Sequence, residues 1–193
     1  MPRIDNELLY ANAIKQYGES ARGVCWFSDL HQLVRFETIR SFLPDDLASQ
    51  SIVDAGCGFG DFYHFLQNNN IKIKSYIGID IHKEMCKIAT KNIDMSILHR
   101  DITRESLPMA DYYVCSGALN ILTPFETVQF IQNCYKASTR AFIFNVLHGK
   151  EKSETYNYLS TQEIQKIANE LQVKEISFSS DYLENDITVR FSR

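Results

Sequence analysis

No two cysteines of this chain stand at CxxC spacing: Cys25, Cys57, Cys86, Cys115 and Cys134 are scattered singly. That excludes a zinc-ribbon pattern and a disulfide framework, and the expected compartment is the reducing cytoplasm. Long apolar runs are missing too. The longest, Ala141 to Phe144 with Val146 and Leu147 just beyond, are strand-length, against the ~20 residues that a membrane-spanning helix needs. The opening MPRIDNELLYANAIKQYGE carries charges throughout, so it lacks the apolar centre of a secretion signal. No stretch is densely basic. Lys72 to Lys74 and Lys83 to Lys91 are interrupted by apolar or acidic residues, and the net charge is −4. Nucleic acid is therefore not the expected partner, nor is a membrane. What remains is 193 residues with 45% hydrophobic content, which suits one domain with a small appendage.

Helices come first. Glu7 to Tyr17 is one, and from Asp29 the residues Leu30, Leu33, Val34, Phe36, Ile39, Phe42 and Leu43 recur near the helical period, until Leu43-Pro44-Asp45-Asp46 breaks the pattern. Strands and helices then alternate. SIVDAG from Ser51, SYIGIDI from Ser75, MSIL from Met95, DYYVCS from Asp111 and RAFIFNVL from Arg140 read as five strands. Thr123-Pro124-Phe125-Glu126 is a helix start with cap, proline and glutamate in place, and its expected buried stripe is Phe125, Val128, Ile131, Cys134 and Tyr135. Ser160 to Glu163 repeats the capping pattern ahead of Ile164, Ile167, Ala168 and Leu171. Two strands close the chain, Val173 to Ser180 and Asn185 to Phe191, too near each other for a crossover and so expected to pair antiparallel. The polar segment Gly149 to Tyr158 reads as a mobile loop. The alternation predicts a doubly wound, Rossmann-like α/β fold with helices on both faces of a mostly parallel sheet. Residues 1–48 would form an N-terminal helical cap and residues 49–193 one compact domain.

The stretch DAGCGFGD carries the chemistry. In open parallel sheets ligands sit beyond the carboxyl ends of the strands, where Gly56, Gly58 and Gly60 lie between the first strand and its helix. A dinucleotide fingerprint would place its third glycine at position 61, but that residue is Asp61. A pyrophosphate resting on the helix start would meet this carboxylate, and Asp54 adds a second one at the strand end. The rim favours a cation or an amine. Asp80 ends the next strand, about 20 residues on, where an acidic side chain accepts the hydroxyls of a ribose. Asp101, after the third strand, could accept from the exocyclic amine of adenine. A nucleoside with a ribose, no phosphate and a positive or zwitterionic tail is the inferred ligand, and S-adenosyl-L-methionine meets all three requirements.

DAGCGFGD, YIGIDIHKEM, the RDI after the third strand and DYYVCSGALNIL together resemble successive motifs of the class I S-adenosylmethionine-dependent methyltransferases. The resemblance runs from about Ser51 to the C-terminus. It implies a seven-stranded sheet with an antiparallel last strand. It also implies that Asp54 and the glycine turn, Cys57 included, hold the methionine portion, that Asp80 takes the ribose and Asp101 the adenine, that Ser116 and Gly117 line the floor, and that Ile81 and Ile102 sandwich the adenine ring. The N-terminal GVCWFSDLHQLVRFETI is similar to a segment of a small bacterial branch of the family. By that likeness Gln32 and Arg35 would cover the cofactor, Arg35 as partner to its carboxylate.

Each residue also has a plain structural reading. The glycines could form only a tight turn, Asp54 a turn former, Asp80 a cap for the following helix, and Asp101 an ordinary loop residue. Cys57 reads as a small filler. Arg35 could snorkel to solvent, and Trp26 and Phe27 are a lid pair or packing. Tyr17, Tyr63, Asn120 and His148 lie where substrate could reach, and His148 is the weak candidate for a base. After the fourth strand the chain reads SGALN rather than the (D/N)PP(Y/F) of many amino-methylating enzymes; a proline-cysteine nucleophile and a carboxylate cluster for magnesium are also missing. The expected activity is methyl transfer to an O or N atom of a small-molecule acceptor, partly enclosed by the N-terminal helices and the Gly149 to Tyr158 loop. An RNA or protein methyltransferase and a non-catalytic cofactor-binding partner subunit are the alternatives.

Overall fold

A computed structural model describes residues 6–24, 28–151 and 153–193. Trp26 and Phe27, read above as a lid pair or packing, lie outside the described residues. Helix α1 spans Asn6–Tyr17 and α2 spans Asp29–Ser41, the latter capped by the Ser28 side chain, which accepts from the His31 amide. Strand β1 (Ser51–Ala55) leads through the glycine turn into α3 (Asp61–Asn68). Strand β2 (Ser75–Asp80), helix α4 (Lys83–Asn92), strand β3 (Ser96–His99), strand β4 (Ala110–Cys115), helix α5 (Pro124–Ala137) and strand β5 (Ser138–His148) follow. The chain ends with β6 (Tyr158–Leu159), α6 (Thr161–Glu170), β7 (Glu175–Ser179) and β8 (Asp186–Ser192). Both predicted capping boxes are present: the Thr123 and Ser160 hydroxyls accept from the Glu126 and Glu163 amides, and each glutamate reaches back. Among the described residues, no helix is long and apolar enough to cross a membrane.

The sheet order is β3-β2-β1-β4-β5-β8-β7, with β6 added beside the end of β5. Strands β1 to β5 run parallel, and β8 is antiparallel to both β5 and β7. The expected fold class is therefore observed, with one strand more than the sequence reading held. Tyr158 and Leu159, at the end of the stretch read as a loop, pair with Leu147 and His148.

Both faces of the sheet are covered. Tyr113, Phe142, Phe144 and Phe191 pack against Phe130, Ile131 and Cys134 of α5 and Ile164, Ile167 and Ala168 of α6. On the other face Ile52, Tyr112, Val114 and Ile143 meet Phe36 and Ile39 of α2 and Phe62, Phe65 and Leu66 of α3. Tyr112 and Tyr113 thus enter opposite cores, as the period-two alternation of a strand dictates.

Two expected stripes are corrected. Phe125 is 71% exposed, and the buried face of α5 runs through Thr127, Phe130, Ile131, Cys134 and Tyr135. Residues in a first helical turn face wherever the capping geometry sends them, and here that is solvent. On α2, Leu30 and Leu33 point outward while Arg35 is buried beside Phe36 and Ile39.

The chain runs β1, β2, β3 toward one edge and resumes with β4 on the other side of β1. That reversal opens a crevice beyond the carboxyl ends of β1 and β4, the usual ligand position in such sheets.

Candidate ligand cavity

A cavity of about 380 Å³ occupies this crevice, within the ~300–1,000 Å³ common for small-molecule sites. Its floor is the turn after β1. Gly56, Gly58 and Gly60 all have positive φ, at 82°, 54° and 89°, a region that side-chain-bearing residues enter at a cost. A Cβ on Gly56 would also stand 2.5 Å from the Ala118 Cβ. The turn is sewn to β2 by the Gly56 and Cys57 amides, which both donate to the Ile79 carbonyl, at 2.7 and 3.0 Å. Cys57 fills the space that Gly78 leaves by having no side chain, since a Cβ there would lie 2.8 Å from its Sγ. Gly56, Cys57 and Gly58 line the cavity; Gly60 does not, and instead caps α3.

Three carboxylates converge on the turn. Asp54 is buried at the end of β1, and the Tyr76 hydroxyl donates to it at 2.6 Å. Burial pushes its pKa up to about 7, against the Tyr76 bond, and the nearby Asp80 and Asp61 push the same way. Asp80 accepts from the Gly58 amide at 2.9 Å and the His82 amide at 2.8 Å, so it braces the turn and caps its own strand end. Burial raises its pKa, and the two backbone N–H groups oppose that shift. Asp61 opens α3 and accepts from the Gln32 side chain at 2.9 Å; burial raises it, with the Gln32 bond working the other way. Crowded, desolvated carboxylates of this kind favour a positively charged occupant and oppose a phosphate.

From above, α2 supplies His31, Gln32, Arg35 and Phe36 to the wall. Arg35 neither snorkels nor stands alone. Its guanidinium donates to Asp186 through Nε at 2.7 Å and through Nη2, and both side chains are buried. The Tyr182 hydroxyl donates to the other Asp186 oxygen and lies 2.7 Å from the Thr188 hydroxyl.

Toward β3, Ile81, Asp101 and Ile102 line the cavity together. Asp101 accepts from the Thr103 amide at 2.9 Å and hydroxyl at 2.6 Å, which shapes its loop. Ser116 and Gly117 follow β4. The Gly117 amide donates to the Asn145 side chain at 2.9 Å, and Asn145 in turn reaches the Ser116 hydroxyl. Asn120 lines the cavity while its side chain accepts from the Leu147 amide at 3.0 Å.

The structure does not bring every expected residue here. His148, Tyr17 and Tyr63 are not among the lining residues. His148 holds its Nδ1 2.8 Å from the Leu159 carbonyl, because β6 pairs alongside and draws the imidazole to its backbone. Tyr63 packs on Tyr76, ring centroids 5.1 Å apart. In their place come Tyr10, its ring tilted against His82 with centroids 4.7 Å apart, and Tyr156, Tyr158 and Glu184. Tyr156 and Tyr158 come from the Gly149 to Tyr158 segment expected over the acceptor, brought in where β6 pairs beside β5, whereas Glu184, carried by the turn before β8, has no sign in the sequence.

Residues 52–140 match the family model of a methyltransferase domain. No curated protein matches the sequence. Among solved structures the chain is similar to the magnesium protoporphyrin IX methyltransferase of Synechocystis PCC 6803 with bound S-adenosylhomocysteine. The identity is 15% and the TM-score 0.71, covering 97% of this chain and 95% of that one. It is similar also to an S-adenosylmethionine-dependent methyltransferase of Mesorhizobium loti, at 14% identity and TM-score 0.64 over 83% of this chain and 98% of the other. A third likeness is to a chain from the complex of the Haloferax volcanii Trm112 methyltransferase activator with a methyltransferase, at 16% identity and TM-score 0.71 over 97% and 96%.

Proposed function

We propose, for a chain whose residues 52–140 match the family model of a methyltransferase domain and whose fold is similar to that of S-adenosylmethionine-dependent methyltransferases, that it moves the donor's methyl group to an O or N atom of a small-molecule acceptor. The observation that carries this reading is the trio of carboxylates, Asp54 and Asp80 buried and Asp61 half-buried, around a positive-φ glycine turn in a cavity of about 380 Å³. Such a wall suits a sulfonium with an ammonium group and suits a diphosphate poorly. Asp54 and the turn hold the methionine portion, and Asp80 the ribose. Asp101 meets the adenine amine, with Ile81 and Ile102 against the ring and Ser116 and Gly117 beneath. Gln32 and Arg35 cover the site as part of an N-terminal cap, residues 1–48.

The donor brings its own activation, an electrophilic methyl on a positive sulfur. The protein's task is to align nucleophile, methyl and sulfur, which can lower the barrier by roughly 7–11 kcal/mol. A base is required only where the acceptor must lose a proton, and the placement of His148 gives it no part. The test is incubation with donor labelled in the methyl group and fractionated lysate. Label in a metabolite fraction supports the proposal; label in RNA or protein overturns the acceptor class. No label in any fraction unless a second chain is supplied would favour the partner-dependent reading, which the Haloferax complex brings into view.

A further inference from the structure

Of the carboxyl groups buried in this fold, Asp54 has the fewest partners. Asp186 holds the Arg35 guanidinium on one oxygen and the Tyr182 hydroxyl on the other. Asp80 accepts from the Gly58 and His82 amides. Among the described residues Asp54 accepts one bond, from the Tyr76 hydroxyl at 2.6 Å, and it is 3% exposed at the end of β1. An ionised carboxylate has room for about four such bonds, and a buried charge short of partners is costly.

Its neighbours supply little positive charge to offset that cost. From β2 it is faced by Tyr76 and Asp80, from α3 by Asp61, and from the turn by Cys57. On β4 it pairs with Val114, beside the thiol of Cys115. Burial raises the pKa of the Tyr76 hydroxyl and of both thiols, so these three stay neutral. The cations nearby act on other groups. Arg35 pairs with Asp186, and Arg100 donates to the Ser106 carbonyl. His31 acts on Asp186, His82 on Asp80 and His64 on Asp61. Three carboxyls thus share one corner, and a proton taken up there goes to the one that lacks N–H donors, because backbone N–H bonds favour the charged form of Asp80.

We propose that Asp54 carries a proton in the ligand-free protein and surrenders it to solvent as the donor's methionine portion enters, so that cofactor binding and proton release are one event. The inference rests on the reading above that Asp54 faces that portion of the donor. An arriving ammonium group favours the ionised carboxylate over the neutral acid. The O–H bond of the carboxyl breaks, its electron pair stays on Asp54, and the proton passes into the cavity that the residue lines and on to the buffer. No other bond changes. The corner exchanges a proton for the ligand's cation. S-adenosylhomocysteine keeps the ammonium group and should drive the same exchange, whereas 5′-methylthioadenosine, which lacks the amino-acid portion, should not.

Calorimetric titration of the full chain with S-adenosylhomocysteine at pH 6.5, in buffers of differing ionisation enthalpy, counts the protons. With the carboxyl pKa at about 7 before binding, roughly three-quarters of a proton should leave per ligand bound. A ligand that favours the ionised form binds more tightly as pH rises, so affinity should increase about tenfold or more between pH 5.5 and 7.5. Asp54→Asn should release almost no proton and bind with a nearly flat pH profile; protons from the ligand and from other groups are common to both proteins. Tyr76→Phe removes the bond that favours the ionised form and should move the pH range of release upward. Binding without proton release, release that persists in Asp54→Asn, a range unmoved in Tyr76→Phe, or equal release by 5′-methylthioadenosine would overturn the proposal. Failure of S-adenosylhomocysteine to bind the wild-type chain would overturn the methyltransferase reading instead, and the first titration tells the two failures apart.

Discussion

Replacing Asp54 by asparagine tests the electrostatics of the site without changing its shape. The side chain is buried, and the Tyr76 hydroxyl that donates to it at 2.6 Å can donate equally to an amide oxygen. Burial, reinforced by Asp80 and Asp61, moves the carboxyl pKa from its ordinary 3.8 up to about 7. Between those two values the folded protein holds a proton that the unfolded chain has released. The stability this proton confers is complete below about pH 4 and is lost as pH rises through 7. At about 1.4 kcal/mol per pH unit the loss amounts to at most about 4 kcal/mol. Asparagine cannot ionise, so the variant should match the wild type near pH 4 and exceed it above pH 7. For a chain of this length that difference corresponds to roughly 8–16 °C in Tm. Thermal unfolding of both ligand-free proteins from pH 4.5 to 8.5 supplies the comparison, in which titrations common to both largely cancel. S-adenosylhomocysteine, whose ammonium group compensates the carboxylate, should narrow the gap. Parallel profiles across the pH range would refute the argument.

Further expectations follow from single contacts. Asp80→Ala removes the proposed ribose acceptor and should weaken S-adenosylhomocysteine about tenfold to a hundredfold by calorimetry; unchanged affinity would remove Asp80 from that role. Arg35→Ala leaves the buried Asp186 without its counter-ion, held by the Tyr182 hydroxyl, which should cost about 3–5 kcal/mol of stability in urea titrations. The same variant should lose affinity for S-adenosylhomocysteine more than for 5′-methylthioadenosine, which lacks the amino-acid portion, and equal losses would contradict a carboxylate contact. Gly56→Ala forces a side chain into φ 82° and against Ala118, at about 1–3 kcal/mol from backbone strain alone; a Tm equal to the wild type would show that the turn is not tight.

Much of the architecture was legible because its signals are local. Capping residues at Thr123 and Ser160, apolar strands bounded by polar turns, and three glycines at alternate positions each act within a few residues, and each appears where expected. The crevice was legible too, since parallel strand order fixes which ends converge. What the sequence hides are contacts between distant segments. Arg35 reads as a lone charge on an apolar helix until Asp186 is placed beside it. His148 reads as a strand-end base facing substrate until β6 pairs beside it and it is seen to lie outside the cavity lining. Tyr156, Tyr158 and Glu184 carry no motif and reach the cavity only through sheet pairing at β6 and β8. Phe125 misled for a different reason, because helical periodicity leaves the phase of a first turn open.

The Arg35–Asp186 clasp joins positions separated by 151 residues. Until β8 has been synthesised, the roof helix α2 holds to the earlier part of the fold without this clasp, Phe36 and Ile39 packing on Phe62, Phe65 and Leu66 and Gln32 donating to Asp61. A nascent chain stopped short of β8 would display the glycine turn beneath a roof still missing its second tether, so retention of the nucleoside would report that β8 has joined the sheet.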